Sequence, residues 1–350
     1  MVARLALALA FALAADPVSA AERKPPTRLF AADQPITATL RGPISAVAST
    51  PSPSRTARPA VLELVSPAAE QHAILLSPRG LTRRQKKTCT FPPLRVEFTA
   101  RPAATSTFER QKRLKLVTHC RNSPGHQNHV LLEYAAYRMF NLISPTGLRV
   151  RLGSFDYVEP SGRTVASRIG FFIEDPDDSA SRNGLAEVRT TGRVAPTQLD
   201  PAAAARAALF QYMIGNIDWS MRAGPAGDTC CHNFRLLAAA ANAQAALVPV
   251  PYDFDASGLV DAPYAVPNEQ LGMNSVRERR YRGYCLHNGH ALAAAAEFRA
   301  RRGDLLAVLA AIPQLEDRRR SSASAFLDGF FRDIATDEEV RRRVLKTCIN

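Results

Sequence analysis

A lysine in an apolar strand and a glutamate on the following helix are the first residues in the sequence that could do chemistry. Lys115 lies between apolar neighbours, and Glu133 follows in a segment with helical periodicity. A strand lysine oriented by a helix glutamate can bind the phosphate groups of a nucleotide. Alternatively, the Lys115 stem lies on apolar surface at a sheet edge and its ammonium group reaches water. The pair alone leaves both interpretations open.

Four later residues have types and an order that suit metal-dependent phosphoryl transfer. Asp218 follows a predicted helix, Asn233 precedes an apolar run, and Asp253 and Asp255 follow the next one. An acid, then an asparagine, then an aspartate at a strand end is the order of catalytic acid and metal-binding groups in phosphoryl transfer. Magnesium prefers such hard oxygen ligands. For Asp253 and Asp255, a calcium loop or a pair of turn-capping carboxylates is the alternative.

Length, composition and charge limit the class of protein. The chain has 350 residues, 46% hydrophobic and 22% charged, which is globular composition rather than disorder. No apolar run reaches the roughly 18 residues of a spanning helix, so we expect no transmembrane segment in the mature chain. The 45 basic and 32 acidic residues give a net charge of +13, which favours anionic partners. The arginines are scattered and seldom interleaved with aromatic residues, so nucleic acid is not the favoured partner.

The first twenty residues are typical of an export signal. Arg4 precedes an apolar stretch over residues 5–15, and Val18-Ser19-Ala20 fits a cleavage site. We therefore expect a mature chain of residues 21–350 in the periplasm or the medium. Its first residues, 21–27, are expected to form a mobile leader.

An even number of cysteines favours disulfide bonds in an oxidising compartment. The six are Cys89, Cys120, Cys230, Cys231, Cys285 and Cys348. We expect Cys89 or Cys120 to be bridged, with a bond between the two as one option, and Cys230 or Cys231 to pair with Cys285. The alternative is a zinc site that includes Cys230-Cys231-His232, Cys285 and His287. Adjacent cysteines disfavour it, because zinc clamps use spaced ones.

Hydrophobic periodicity predicts an α+β chain with a β-rich first half and a helical second half. Strands are predicted near residues 36–40, 61–65, 73–77, 94–98, 113–119, 148–158 and 165–173. A helix is predicted over residues 128–143, and another begins at Asp200-Pro201 and ends near Ile214. The basic run over residues 83–87 is expected to be a solvated loop.

Five segments together resemble a family of exported bacterial proteins. They are Leu114-Lys115-Leu116-Val117, Leu132-Glu133-Tyr134, Gly215-Asn216-Ile217-Asp218-Trp219, Cys231-His232-Asn233 and Pro251-Tyr252-Asp253-Phe254-Asp255. Over roughly residues 110–290 the chain resembles the spore coat protein CotH kinases and, more distantly, the toxin kinase HipA. The resemblance implies a two-lobed, atypical protein-kinase-like fold. Its parts would be a β-rich region over residues 28–110, an N-lobe over 111–175 and a helical C-lobe over 176–350.

The resemblance also implies how a nucleotide would be held and used. Lys115 would contact the phosphates and Glu133 would orient Lys115. Residues 172–175 match the hinge strand that would meet the adenine, which makes Glu174 a candidate for cofactor binding. Asp218 would be the catalytic acid/base. ATP or another nucleotide is the implied donor.

The implied metal is Mg²⁺ or Mn²⁺, held by Asn233 and Asp253, with Asp255 as a second ligand. Two features depart from the protein kinases. Fourteen residues separate Asp218 from Asn233, a longer interval than kinases have, and the N-terminal half contains no GxGxxG loop.

Two functions from different classes are consistent with these residues. The first is a metal- and nucleotide-dependent phosphotransferase that acts on an acidic exported protein or an envelope polymer. The second is a non-catalytic envelope binding protein that uses the fold as a scaffold. A scaffold needs none of Lys115, Asp218, Asn233 and Asp253, so their joint presence favours the enzyme.

Overall fold

Seven strands of the N-terminal half close into a barrel that supports one side of the candidate site. The computed structural model describes residues 23–224 and 230–350. The strands are β1 Ile36–Arg41, β2 Arg58–Ser66, β3 Glu70–Pro78, β4 Leu94–Phe98, β5 Arg113–Val117, β6 Val150–Val158 and β7 Thr164–Ile173. Around the barrel their order is β1-β2-β3-β4-β5-β7-β6. The closing pair, β1 with β6, is parallel, and the other neighbours are antiparallel.

The expected two-lobed, kinase-like fold is wrong, although the chain is α+β overall. One closed mixed barrel spans the expected β-rich region and the expected N-lobe. The barrel closes because β1 lies beside β6, with Ile36 opposite Gly153. Closure satisfies the backbone groups that an edge strand would expose. Alternation along the sequence identifies strands but does not specify such a distant neighbour, so the prediction had no signal for closure.

Helices and a small sheet make up most of the rest of the described chain. The helices are α1 Arg28–Ala31, α2 Ile44–Ala48, α3 Pro124–Ile143, α4 Pro176–Arg182, α5 Pro201–Ile214, α6 Asn288–Ala300, α7 Arg302–Ala310, α8 Asp317–Asp333 and α9 Asp337–Glu339. The sheet has the order β10-β9-β8, with β8 Ala186–Val188, β9 Phe234–Ala238 and β10 Val248–Pro251. Asp200 caps α5 as predicted, since its carboxylate accepts a hydrogen bond from Ala203 N.

Helix α3 lies between the barrel and the helical half. It packs on β7 and β6 on one side and on α7 on the other, and most of its residues are buried. Its apolar side chains belong to the same core as those of α5, α6 and α8, whereas a separate core fills the barrel. Burial on both sides therefore fixes the position of Glu133.

The predicted export signal, residues 1–20, lies outside the described residues. The described part of the expected leader, residues 23–27, is held to the fold. Lys24 N donates to Ser181 O at 3.2 Å, and Thr27 is buried. Among the described helices, none has both the length and the apolar character needed to cross a membrane.

Three disulfide bonds join the described cysteines, Cys89 with Cys120, Cys230 with Cys231, and Cys285 with Cys348. These bonds are compatible with an extracellular or periplasmic protein, because they persist in oxidising compartments. The bond between Cys89 and Cys120 was one of the expected options.

The predicted pairing of Cys285 with Cys230 or Cys231 is wrong. The C-terminal segment pairs with the chain before α6, where Cys285 N donates to Ile349 O at 2.9 Å, and this brings Cys348 to Cys285. The zinc alternative is also wrong. Cys230, Cys231 and Cys285 all form disulfide bonds and therefore supply no thiolate ligands.

A buried ion pair fixes the chain just after β7. The Glu174 side chain is fully buried, and its Oε1 accepts a hydrogen bond from Arg182 Nε at 2.9 Å. Its Oε2 accepts from Arg149 N at 2.8 Å. These contacts tie the end of β7 to α4 and to the start of β6.

Removing this carboxylate leaves the buried Arg182 guanidinium without its ionic partner. We therefore expect Glu174→Ala to lower the free energy of unfolding by about 3–5 kcal/mol, measured by urea denaturation. The exposed pair of Arg302 and Asp328 provides the control, and Asp328→Ala should cost only about 0–1 kcal/mol. Equal losses in both variants would show that the Glu174 pair does not stabilise the fold.

Candidate functional site

Asp218 is presented by a loop that its neighbours hold rigidly. Helix α5 ends at Gly215, whose φ of 64° is in the left-handed region that favours glycine. Asn216 Oδ1 then accepts a hydrogen bond from Asp218 N at 3.0 Å, and Trp219 Nε1 donates to Asn216 O at 2.9 Å. Arg282 donates to main-chain oxygens on both sides of Asp218. The Gly-Asn-Ile-Asp-Trp segment is thus a folded loop that leaves the Asp218 carboxylate about half exposed.

Asn233 and His232 both contact the Asp218 carboxylate. Asn233 Nδ2 donates to Asp218 Oδ2 at 3.1 Å and to Asp218 O at 2.7 Å, while His232 Nε2 lies 2.7 Å from Asp218 Oδ1. The hydrogen bond with His232 is the main cause of a lowered pKa for Asp218, and the same contact raises the pKa of His232. Asp218 is therefore ionised at neutral pH. Because the amide nitrogen of Asn233 is engaged, its Oδ1 is the atom suited to bind a metal.

Strands β9 and β10 bring Asp253 next to Asn233. Phe234 pairs with Pro251 in this hairpin, and Tyr252 N donates to Asn233 O at 3.0 Å. Asp253 N in turn donates to the hydroxyl of buried Tyr137 on α3 at 2.9 Å. The loop of Asp218 and the hairpin of Asn233 and Asp253 are thus neighbours in the structure.

The backbone at Asn233 and at Asp253 is in the left-handed region. Their φ angles are 54° and 63°. A non-glycine residue in this region costs free energy, and such residues collect at functional sites. Two such residues at the same end of one hairpin mark this place independently of the motifs.

Lys115 lines a cavity of about 240 Å³ beside this hairpin. The cavity lies between β5, the segment after β7 and the small sheet. Its charged lining consists of Arg95, Arg113, Lys115, Arg189 and Arg235 together with Glu174, Asp175 and Glu187. Arg113 pairs with Asp175, and Arg189 and Arg235 pair with Glu187. The Lys115 ammonium group is 4.9 Å from the centre of the Tyr252 ring, whose other neighbour is Arg235. Burial, together with the charges of Arg79 and Arg235, lowers the pKa of Lys115 to about 7. An anion beside Lys115 would therefore favour its charged form.

Glu133 pairs with Arg83 rather than with Lys115. No ion pair within 4 Å joins Lys115 to Glu133 in the described structure, whereas Arg83 Nη1 lies 3.6 Å from Glu133 Oε2. The same guanidinium contacts Asp253 Oδ1 and Asp255 Oδ2, each at 3.2 Å. The expectation that Glu133 lies within salt-bridge reach of Lys115 is therefore wrong, because a closer cation competes for the carboxylate.

Arg83, Glu133 and Asp255 form a buried charged cluster, and the partly exposed Asp253 lies at its edge. Arg83 is 8% exposed and Glu133 is 2% exposed. Burial raises the pKa of both Glu133 and Asp255, and the Arg83 charge opposes the rise. Among the described residues, no three acidic, histidine or cysteine side chains converge as ligands on one point. The Arg83 guanidinium stands between these carboxylates.

Glu174 lines the cavity, but its carboxylate is not available to a ligand. Residues 173–175, within the expected hinge segment 172–175, line the cavity next to Lys115. The Glu174 carboxylate, however, is occupied by Arg182 and by Arg149 N. Any contact of Glu174 with a ligand is thus left to its main chain.

The sequence analysis missed Arg83, which it placed in a solvated loop. Arg83 and Arg84 are buried, whereas residues 85–87 of that run are exposed. Arg83 binds Asp253 across 170 positions of sequence, so no local pattern could have marked it. His232 was quoted only as part of a motif. Its position directly before Asn233 was the available signal for a contact with Asp218.

Comparison with known proteins adds no relative. No protein-family model matches the chain, and no curated protein is significantly similar to it. The resemblance to the CotH and HipA kinases therefore stays a prediction.

The lowered pKa of Lys115 predicts a specific pH dependence of stability. Between pH 7 and the ordinary lysine value of 10.5, the unfolded chain binds a proton that the folded protein has lost, so this group makes stability rise with pH. Lys115→Met should remove that rise, as measured by urea unfolding at several pH values. Lys112→Met, at an exposed position of the same segment, should keep the wild-type dependence. An identical slope in the wild type and in Lys115→Met would refute the assignment.

Proposed function

We propose that this protein is a metal- and nucleotide-dependent phosphotransferase that acts outside the cytoplasm, in the periplasm or after secretion. The observation that carries the proposal is the junction of Asp218, Asn233 and Asp253 beside the basic cavity of Lys115. The loop of Asp218 and the hairpin of Asn233 and Asp253 supply an ionised carboxylate and two candidate oxygen ligands, and Lys115 of the neighbouring cavity lies 4.9 Å from the centre of the Tyr252 ring. These are the groups that phosphoryl transfer requires.

Each group has a defined part in the reaction. Lys115 and the arginines of the cavity would bind the donor phosphates. Asp218 would accept the proton of the acceptor hydroxyl while that oxygen bonds to the terminal phosphorus and the nucleoside diphosphate leaves. His232 would hold the Asp218 carboxylate in place.

The donor set at this place fits a divalent cation. Asp253 offers a carboxylate and Asn233 an amide oxygen, both hard ligands of the kind Mg²⁺ and Mn²⁺ take. Asp255 is the further candidate, although its Oδ2 is now bound to Arg83. A bound Mg²⁺ or Mn²⁺ would neutralise charge that develops on the phosphates.

The acceptor is proposed to be acidic, an exported protein or an envelope polymer. The net charge of +13 steers anionic partners toward the protein. A positive charge also lies close to Asp218, because the Arg282 guanidinium donates to main-chain oxygens of its loop. An acidic group next to the acceptor hydroxyl would therefore find a cation at the site itself.

A non-catalytic envelope binding protein is the second candidate. It is favoured by one observation, the ion pair of Glu133 with Arg83, which leaves Lys115 without an orienting carboxylate. A thermal-shift screen with ATP and other nucleotides, with and without Mg²⁺ or Mn²⁺, separates the two. The enzyme should be stabilised by a nucleotide together with a metal, and the scaffold by neither.

Two substitutions test the catalytic assignment. Asp218→Asn keeps the shape but removes the proton acceptor, so transfer of labelled phosphate to envelope fractions should fall by about 10²–10⁴-fold while nucleotide binding persists. Asp253→Asn replaces a charged ligand by a neutral one and should weaken metal-dependent nucleotide binding as well as transfer.

The control is Asp328→Asn, which changes an exposed aspartate on α8. It should transfer phosphate at the wild-type rate. If all three variants matched the wild type, these aspartates would have no part in catalysis. Transfer lost together with the folded state, as judged by circular dichroism, would assign Asp218 a structural role instead.

A further inference from the structure

The disulfide bond between the adjacent residues Cys230 and Cys231 is placed unlike the other two in the described structure. Those two join cysteines that are 31 and 63 positions apart, whereas this bond joins neighbours in the sequence. A disulfide bond stabilises a fold mainly by closing a loop of the unfolded chain, and its contribution grows with the length of that loop. A bond between neighbours therefore adds least to global stability, so its effect is to be sought in the local structure.

The bond lies directly before His232, whose Nε2 is 2.7 Å from Asp218 Oδ1. Both cysteines are buried. Their bond closes a small ring that contains the peptide group between them, and the ring removes backbone freedom that an open chain would have. On the other side of His232, Asn233 is held by the hairpin, because Tyr252 N donates to Asn233 O at 3.0 Å. His232 thus lies between two fixed points of the backbone.

Backbone hydrogen bonds anchor the ring and the residue that follows it. Cys230 N donates to Thr190 O at 2.7 Å. His232 N donates to Ala223 O, and Ser220 N donates to His232 O, each at 3.0 Å. Single hydrogen bonds at a surface loop open and close, whereas the covalent ring stays closed. The ring therefore limits how far the backbone of His232 can turn away when these hydrogen bonds open.

We propose that the bond between Cys230 and Cys231 is a positioning element of the candidate active site, which orients His232 against the Asp218 carboxylate. The inference deepens the proposed function and rests on the role that it gives to Asp218. His232 and Asp218 are 14 positions apart, so proximity in sequence does not bring the imidazole to the carboxylate. A misplacement of about 1 Å in a reacting group can slow a reaction about 10²-fold, so a fixed neighbour of Asp218 favours catalysis.

The test compares the wild type with Cys230→Ser/Cys231→Ser, both as the full mature chain. Loss of the ring should raise the hydrogen-exchange rates of the His232 and Ser220 amides about tenfold, because their hydrogen bonds then open more often. The kcat for phosphate transfer should fall about 10–100-fold. The KM for the nucleotide should stay the same, because Lys115 and the hairpin are unchanged.

The matched control is Cys285→Ser/Cys348→Ser. Its bond spans 63 positions, so its loss should lower the urea midpoint of unfolding and leave the kcat of the folded protein unchanged. Cys230→Ser/Cys231→Ser should show the reverse, a lower kcat with an unchanged midpoint. In a His232→Ala background no imidazole remains to be oriented, so loss of the ring should then cost no further activity.

Three results would overturn the inference. They are an unchanged kcat in Cys230→Ser/Cys231→Ser, a urea midpoint that falls as far as in the control, and the same further loss of activity in the His232→Ala background. No phosphate transfer by the wild type would instead overturn the proposed function. Hydrogen exchange would then still decide whether the ring holds His232, since unchanged rates for its amide would reject that contact as the role of the bond.

Discussion

The contacts of the Arg83 guanidinium with Glu133, Asp253 and Asp255 join the main parts of this molecule. Arg83 belongs to the connection between β3 and β4 of the barrel, Glu133 to α3, and the two aspartates to the segment after β10. Arg83, Glu133 and Asp255 are buried, and buried charges are tolerated only when they are paired, so each part constrains the others. The position of the Asp253 carboxylate thus depends on a barrel loop that is remote in sequence.

Barrel closure and the buried helix α3 also fix the positions of Lys115 and Asp253. Strand β5 lies between β4 and β7, which places Lys115 opposite Ile173 at the cavity wall. Helix α3 offers the Tyr137 hydroxyl to Asp253 N from below the hairpin. Because both contacts come from buried elements, Lys115 and Asp253 are held in place on two sides of the site. Preorganised groups of this kind lose little freedom when a charged ligand binds.

Local patterns in the sequence were enough to predict several elements of the fold and the loop that carries Asp218. The strands near residues 36–40 and 94–98, the cap at Asp200 and the loop that carries Asp218 all have local signatures, and the structure has each of them. Long-range pairings were not accessible in this way. The closure of β1 on β6 depends on tertiary packing, and so does the bond of Cys285 with Cys348. The burial of Arg83 was inaccessible for the same reason. A basic run in a loop is ordinarily solvated, and only carboxylates distant in sequence explain why Arg83 is buried.

The central claim is that this site binds a nucleotide through a metal. Calorimetric titration of the mature chain with ATP, first with Mg²⁺ and then with EDTA in excess, tests that claim most directly. The account predicts saturable binding of one nucleotide per chain with Mg²⁺, and loss of that binding when the metal is removed. No saturable binding of ATP or of any other nucleoside triphosphate, or the same binding with EDTA, would contradict it.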